Sequence, residues 1–283
     1  MKDLFQIAGG TITGSEHVKS GKNNQDAFYW AVSENAIVAV VTDGCSDTPH
    51  SEVGAKIGAK IVADAVLMEA QSYNNIPTGL LPDPDRPDPF WHNVYVKVLS
   101  ELSKISNATG IENQTIADYF LFTVVGALIR PETSSIFSIG DGVAFLNGAY
   151  GKIGPYPNNA PPYLGYALLW KTPGQIKPEW LRFTTHSLLD TASVNSILIG
   201  SDGSEDLIRA AGNNIPGKNE KVGPINQFWE DDRYFKNPDM IRRKLTLINR
   251  ASARADWENR KIIKEYGLLP DDTTIIAIRR KKN

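Results

Sequence analysis

Asp43 closes an apolar run, Ala39-Val40-Val41-Thr42, and Gly44 follows it directly. The same grammar recurs in Ile197-Leu198-Ile199-Gly200-Ser201-Asp202-Gly203 and in Ile136-Phe137-Ser138-Ile139-Gly140-Asp141-Gly142. Further on, Asp271-Asp272 precedes the apolar stretch Thr273 to Ile278, so an acid also begins a strand. Hard divalent cations such as Mg²⁺ and Mn²⁺ take oxygen ligands in octahedral geometry and keep several waters, so a two-metal site needs few protein ligands. Asp43, Asp202 and Asp271 have the chemistry of such ligands. Gly44 adds a backbone carbonyl, because glycine lets the main chain approach closely. Two cations ~3.5–4 Å apart hold a deprotonated water in line with a phosphorus centre and stabilise the departing oxygen. One Asp-Gly pair is ordinarily only a turn. Several acids at apolar strand ends are jointly a far more specific signal.

The elements that must deliver these acids follow from local pattern. Phe5 to Thr13 reads as a first strand and Ser15 to Gln25 as a polar loop. Asp26 to Val32 and Ala36 to Val41 form two strands around Ser33-Glu34-Asn35, and antiparallel pairing puts Asp26 and Asp43 at the same end. Ser51 is a good helix cap, and Val53, Ile57, Ile61, Val62, Ala65 and Val66 recur at helical spacing through Met68. Five prolines between Gln71 and Pro89 rule out a continuous helix or central strand there, so that stretch is a loop. Trp91 to Ser106 has helical periodicity. Tyr119 to Ile129 and Ser134 to Leu146 are expected as strands, with a hairpin turn at Asn147-Gly148. Tyr163 to Trp170, Leu181 to Thr185 and Ser196 to Ser201 are expected as further strands, and Glu205 to Ala211 as a short helix. Asn237 is expected to cap a helix beginning at Pro238 and running to about Asn249. Ser252 to Tyr266 reads as its continuation or as a second helix, and Thr273 to Ile278 as the last strand. Paired strands and separate blocks of helix predict α+β layers around antiparallel sheets, without internal repeats, in a single domain spanning residues 1–283.

Composition narrows the function classes. At 283 residues, 41% hydrophobic and 22% charged, the chain can bury a substantial core. Thirty Lys and Arg against 32 Asp and Glu give a net charge of −2 and no global reason to expect nucleic acid or an anionic membrane as partner. Cys45 is the only cysteine, which excludes an internal disulfide and a cysteine-cluster zinc site. It reads as a small, partly buried residue in the turn after Asp43-Gly44. The first residues lack the apolar run of a signal peptide, and no run approaches the ~18 apolar residues of a membrane span. A cytoplasmic, monomeric protein is the expectation. His92 and His186 lack acid-rich sequence neighbours, and the six tryptophans are scattered, as packing residues are.

Five motifs in order, Asn24-Gln25-Asp26-Ala27, Val41-Thr42-Asp43-Gly44, Ile139-Gly140-Asp141-Gly142, Gly200-Ser201-Asp202-Gly203-Ser204-Glu205-Asp206 and Asp271-Asp272-Thr273-Thr274-Ile275, resemble those of the type 2C (PPM) metal-dependent Ser/Thr protein phosphatases. The resemblance covers nearly the whole chain, about Phe5 to Ile278. It implies a β-sandwich of two mostly antiparallel sheets, flanked by helices on both faces, with a dinuclear Mn²⁺ or Mg²⁺ site at one end. It implies Asp43 as bridging ligand, Gly44 as carbonyl ligand, and Asp202 and Asp271 as the other ligands of one metal. Asp26 corresponds to the acid that orients metal-bound water, and Asp141 and Asp206 to those that hold a weaker third metal in some members. The implied reaction is attack of a metal-activated water on phosphoserine or phosphothreonine of a protein substrate, without a phosphoenzyme, with Asp26, Asp43 and Asp202 as the catalytic acids.

The chain departs from this pattern in places. Gln25 stands where the family commonly has Glu; its amide can offer a metal an oxygen but no charge. Gly21 occupies the neighbourhood of the usual phosphate-binding Arg, leaving Lys22 and His17 as the nearby candidates. Cys45 to Glu52 replaces a small, glycine-rich stretch, and the usual Thr-Thr motif is blurred at Phe122-Thr123-Val124-Val125. The combination resembles a divergent bacterial-type branch. A catalytically weak or inactive phosphatase-like binding or regulatory protein is the alternative, with a phosphatase of small phosphomonoesters as a third. Gly212 to Lys236 lies between the last two ligand candidates, where similar proteins carry a substrate-selecting flap.

Overall fold

Four apolar runs, Ile37–Val41, Val124–Ile129, Ile197–Ile199 and Ile275–Ile278, are buried along their whole length. A strand with both faces covered needs a layer on each side. The alternation along each run shows which layer. Ile37, Ala39 and Val41 point into one cluster, while Val38 and Val40 point into another. Likewise Ile276 and Ile278 share the central cluster with Ile197 and Ile199, while Ile275, Ala277 and Leu198 face a third. Two sheets therefore pack face to face, and each carries helices on its outer face.

The computed structural model describes residues 1–72, 88–169, 174 and 176–281. Its strands are β1 (Phe5–Ile12), β2 (Asp26–Val32), β3 (Ile37–Gly44), β4 (Phe122–Ile129), β5 (Thr133–Ile139), β6 (Gly142–Leu146), β7 (Ala149–Ile153), β8 (Thr184–Asp190), β9 (Ser196–Gly200), β10 (Ser252–Asp256), β11 (Lys261–Glu265) and β12 (Thr273–Arg280). Its helices are α1 (Ser15–Ser20), α2 (Ser51–Ser72), α3 (Pro89–Asn107), α4 (Glu112–Tyr119), α5 (Ser204–Arg209), α6 (Gln227–Glu230), α7 (Arg233–Lys236) and α8 (Met240–Asn249). One sheet has the order β2-β3-β4-β5-β8 and the other β1-β12-β9-β6-β7, with antiparallel neighbours throughout; β10 and β11 form a separate hairpin. This is the expected α+β architecture of antiparallel sheets flanked by helices. No helix among the described residues is long and apolar enough to cross a membrane.

Close packing of α2 explains its small residues. A Cβ on Gly54 would sit 1.5 Å from the Tyr119 carbonyl oxygen, and one on Gly58 would sit 2.2 Å from the Phe122 ring. Beside it, α3 begins at Pro89, capped by the Asp88 carboxylate that accepts from the Phe90 amide at 2.8 Å. Its Trp91 packs on Phe137 and Phe183, at centroid distances of 4.6 and 5.5 Å.

Several expected elements are different. The run Ser134 to Leu146 is not one strand. The chain turns at Gly140 (φ 88°) and Gly142 (φ 147°), so β5 pairs with β4 in one sheet and β6 with β9 in the other. Apolar alternation continues across the break, which hides it. Ser15–Ser20, expected as loop, is a short helix ended by Gly21 at φ 71°. Glu112–Tyr119 is a helix where only a strand start at Tyr119 was expected. Tyr163 to Trp170 holds a 3₁₀ turn at Leu164–Leu168, and its last residue lies outside the described residues. The expected strand Leu181–Thr185 begins later, at Thr184, and runs to Asp190. Asn237 accepts from the Asp239 amide at 3.0 Å, and the helix starts only at Met240, so Pro238 precedes it. Ser252 to Tyr266 is a hairpin and not a helix: Asp256 accepts from Asn259 N at 3.1 Å, and Arg260 turns the chain at φ 50°. The proline-rich stretch lies largely outside the described residues, but Gln71 and Ser72 belong to α2 and Pro89 to α3.

The approach at Gly54 gives a direct check. Gly54→Ala is expected to lower stability by about 1–3 kcal/mol or more, because neither the helix nor the Tyr119 carbonyl can yield far. A urea midpoint equal to that of the unmodified protein would show that α2 does not pack this way.

Candidate active site

Register brings the acids to one end of the sandwich. Asp26 pairs directly across from Asp43 in the β2–β3 ladder, and Thr123 of β4 pairs with Asp43 on the other side. In the second sheet, Gly200 at the end of β9 pairs with Val143 of β6 and Ile275 of β12. That places Asp141, Asp202 and the Asp271-Asp272 pair at neighbouring strand ends. Ser201 joins the two sheets: its hydroxyl donates to Asp26 Oδ2 at 2.6 Å and accepts from the Thr274 amide at 3.1 Å. The expectation that the hairpin carries Asp26 and Asp43 to a common end agrees with this register.

Proximity is felt electrostatically. Burial pushes the Asp43 carboxyl well above the usual range, and the charges of Asp26, Asp202, Asp271 and Asp141 push it further. Burial also raises Asp26, with Asp272 and Asp202 adding to it, while the Ser201 hydroxyl bond pulls the other way. Asp141 is raised to about 6 by burial and by Asp202, offset in part by Lys152. Asp271 is raised by partial burial and then by Asp202, although the residue is exposed by surface area and solvent tempers the effect.

These acids do not form a closed ligand set as they stand. Among the described residues, no group of three or more His, Cys, Asp or Glu side chains is arranged to hold a metal. The donor chemistry nevertheless fits a hard cation. The surrounding acceptors are oxygens that repel one another, and two of them, Asp26 Oδ1 and Gln25 Oε1, are buried without any hydrogen-bond partner. A buried oxygen with no donor is costly unless something positive meets it.

The remaining expected site residues fall as follows. Gly44 donates its amide to the Gln25 carbonyl at 3.1 Å and lies against Ser51, where a Cβ would be 2.7 Å from the Ser51 Cβ. Gln25 donates its side-chain Nε2 to Ser51 Oγ at 2.6 Å and to the Cys45 carbonyl at 3.3 Å. Lys22 donates to the Ser46 carbonyl at 2.9 Å, on the loop that follows Asp43-Gly44. His17 Nδ1 stands 3.0 Å from Asp272 Oδ2 but without the alignment of a hydrogen bond, so its nearest charge is a carboxylate. Asp206 is ion-paired with Arg209, and Glu205 pairs with Lys152 at 2.6 Å and Arg209 at 3.4 Å. Asp206 therefore already has a counter-charge, whereas Asp141 faces Asp202.

Two contributions were missed from sequence. Asp272 is 2% exposed; its Oδ1 accepts from the Gly14 amide at 2.7 Å and its Oδ2 from the Gln25 amide at 2.6 Å. It braces the start of β2 from the start of β12. The second acid of Asp271-Asp272 was the available signal, since alternate strand positions face opposite ways. The other contribution is a wall of Cys45, Tyr163 and Tyr166. Burial, Cys45 and Asp43 raise the Tyr163 hydroxyl far above its usual range, and burial, Cys45 and Asp47 push Tyr166 up to about 12. Their turn reads like strand in sequence, which hid them.

A sequence profile of the family described as protein phosphatase 2C matches residues 13–234. The chain belongs to that family. Among solved structures, a variant of a bacterial serine phosphatase is similar at 16% identity, with 98% of each chain covered and a TM-score of 0.50, a likeness of fold. The serine/threonine phosphatase Stp1 from Staphylococcus aureus matches at 14% identity over 99% of this chain and 96% of its own, with a TM-score of 0.49. The catalytic domain of the phosphatase PstP, solved with two manganese ions, matches at 14% identity over 99% of each chain, with a TM-score of 0.44. No curated protein sequence matches the chain.

Asp141 supplies a pH test. A carboxyl raised to about 6 in the folded protein binds its proton more tightly folded than unfolded. Its favourable linkage is complete below the ordinary pKa near 3.8 and is lost as pH rises through about 6. Without added metal, Asp141→Asn is therefore expected to melt higher than the unmodified protein at pH 8 and alike at pH 4. Equal melting temperatures at pH 8 would contradict the crowding.

Proposed function

We propose that this chain is a metal-dependent phosphoprotein phosphatase that hydrolyses phosphoserine or phosphothreonine. The observation that carries the reading is the crowding around Asp43, whose carboxyl is raised by burial and further by four other acids brought from the ends of different strands. Membership of the protein phosphatase 2C family supports the same class of chemistry. Asp43, Asp202 and Asp271 would hold the first cation. Asp43, the Gly44 carbonyl and Gln25 Oε1 would hold a second, with Asp141 and Asp206 for a weaker third. Mn²⁺ or Mg²⁺ bound there supplies positive charge for the phosphoryl oxygens and lowers the pKa of water.

The chain's own groups do the rest. Asp26 is held through Oδ2 by Ser201, and its free Oδ1 is the oxygen that orients a water and accepts its proton. Lys22 spends one of its three donors on Ser46 and keeps the others for phosphate. His17 is turned to Asp272, so it serves phosphate less directly than Lys22. The Tyr163–Tyr166 pair, 5.3 Å between centroids, shields one side from water. The nucleophile is water, and no phosphoenzyme forms.

Gln25 favours a second reading, a weak or inactive phosphatase-like regulatory protein. Its Nε2 is committed to Ser51 and Cys45, and its oxygen brings no charge to a second cation.

Mn²⁺-dependent hydrolysis of p-nitrophenyl phosphate and of a phosphoserine peptide is expected, with Asp43→Asn and Asp202→Asn each losing more than about 100-fold. Saturating Mn²⁺ is expected to raise the melting temperature, since a ligand at 100 times its Kd adds about 2.7 kcal/mol. Gln25→Glu is expected to tighten Mn²⁺ binding in calorimetry. Mn²⁺ binding without turnover would transfer the case to the regulatory reading, and no divalent binding at all would end the metal argument.

A further inference from the structure

Ser51 reads in sequence as a cap for α2, yet its hydroxyl is spent on other segments. It is the first residue of α2 and is fully buried. Its Oγ donates to the Cys45 carbonyl at 2.9 Å and accepts from Gln25 Nε2 at 2.6 Å. Gly44 makes room for it: a Cβ there would lie 2.7 Å from the Ser51 Cβ and 2.8 Å from its Oγ. The approach to β2, the turn after β3 and the start of α2 thus meet at one hydroxyl.

These bonds fix which way round the Gln25 amide lies. A hydroxyl has one proton, and Ser51 spends it on Cys45, so toward Gln25 it is an acceptor and Nε2 must face it. The reversed amide would set the Gln25 and Cys45 oxygens 3.3 Å apart, where Nε2 now donates, and would cost Ser51 its bond to Cys45. With Nε2 committed to Ser51 and Cys45, Oε1 is the free atom of the amide, buried and without a donor. An unpaired buried acceptor carries a desolvation cost that a cation removes.

The backbone beside it is opened in a similar way. Gly44 donates its amide to the Gln25 carbonyl at 3.1 Å, which is half of a hydrogen-bonded pair in an antiparallel ladder. The other half would run from the Gln25 amide to the Gly44 carbonyl, but that amide goes to Asp272 Oδ2 at 2.6 Å. The Cys45 amide is held by the Leu121 carbonyl at 2.9 Å. Across a planar trans peptide the Gly44 carbonyl points the opposite way, toward the β2 side. Asp272 thus releases a backbone oxygen and Ser51 an amide oxygen, on residues that face each other where the β2–β3 ladder ends.

We propose that Ser51 is a positioning residue for the second cation: it turns the Gln25 amide so that an oxygen, and not an N–H, is left free beside the Gly44 carbonyl. This rests on the metal-dependent reading above. The role exists because residue 25 is glutamine. A carboxylate offers an oxygen whichever way it lies, whereas an amide turned end for end offers two N–H donors and repels a cation. Beside a glutamate the same hydroxyl would have no such task. Ser51 touches no cation itself; it acts through Gln25, as the outer partners of metal ligands do.

The test is titration calorimetry of Mn²⁺ into the full chain and into Ser51→Ala, Gln25→Glu and the double variant, each first checked for folding by a thermal melt without metal. The unmodified protein is expected to bind a tighter and a weaker cation. Ser51→Ala is expected to weaken the second at least about tenfold and to leave the first within about twofold. On the Gln25→Glu background the same substitution is expected to change second-cation affinity by less than about twofold. A packing role would cost the same on both backgrounds, so equal losses overturn the proposal. Unchanged second binding in Ser51→Ala overturns it as well. A single binding event shared by all four proteins overturns it while the first cation stands, and no binding by any of them removes the metal-dependent reading and this role together. Ser51→Ala is expected to fold, because the Cys45 carbonyl keeps the Thr48 hydroxyl at 3.0 Å and the Thr48 amide at 3.2 Å. If it unfolds, Ser51→Cys, which keeps the volume but is a weak acceptor, takes its place in the cycle with the same outcomes.

Discussion

Mutual repulsion among carboxylates is the constraint around which this structure is arranged. Asp26, Asp43, Asp141, Asp202 and Asp271 come from both sheets, and the charges of the other four all raise Asp43. Like charges brought together oppose folding unless something compensates. The large apolar clusters on either side of each sheet provide the rigid frame that keeps the strand ends together. Local braces complete it. Asp272 ties the backbone of Gly14 and Gln25 to the start of β12, and Ser201 ties Asp26 to β12 through Thr274. Hydrogen bonds to these two side chains hold the acids that do not bond to each other.

What was legible in sequence was whatever repeats at short range. Buried strands announce themselves by continuous apolar runs, and Asn147-Gly148, with φ values of 51° and 85°, announces its hairpin turn. The acids were visible because each interrupts such a run at its end, and the convergence of Asp26 and Asp43 followed from antiparallel pairing alone. The gathering of Asp202 with Asp141 depends on β6 and β9 being neighbours in one sheet, which no local pattern encodes.

What was hidden was hidden for a common reason: local sequence was compatible with two outcomes and distant contacts chose between them. Ser134 to Leu146 keeps its alternation through Gly140-Asp141-Gly142, yet its halves pair in different sheets. Ser252 to Tyr266 carries residues acceptable to helix, yet the Asp256–Asn259 turn folds it back on itself. The segment Gly212 to Lys236, readable in sequence as a flap, buries Ile215, Val222, Phe228 and Tyr234 against the outer face of the second sheet. Side-chain roles were the least legible. His17 and Lys22 sit close in sequence, but one is turned to Asp272 and the other to Ser46.

The break between β5 and β6 has a mechanical corollary. The chain passes from one sheet to the other at Asp141, and it makes a second passage between Ile12 and Asp26 at the same end of the sandwich. Two of the passages joining the layers thus lie where charge is gathered, while the short return from Asp190 to Ser196 joins them at the other end. Sliding one sheet against the other would strain both passages and pull the acids of the first layer away from those of the second. Alignment of the layers and assembly of the acids are thereby coupled, so a substitution deep in the central cluster can disturb the chemistry without touching any of its residues.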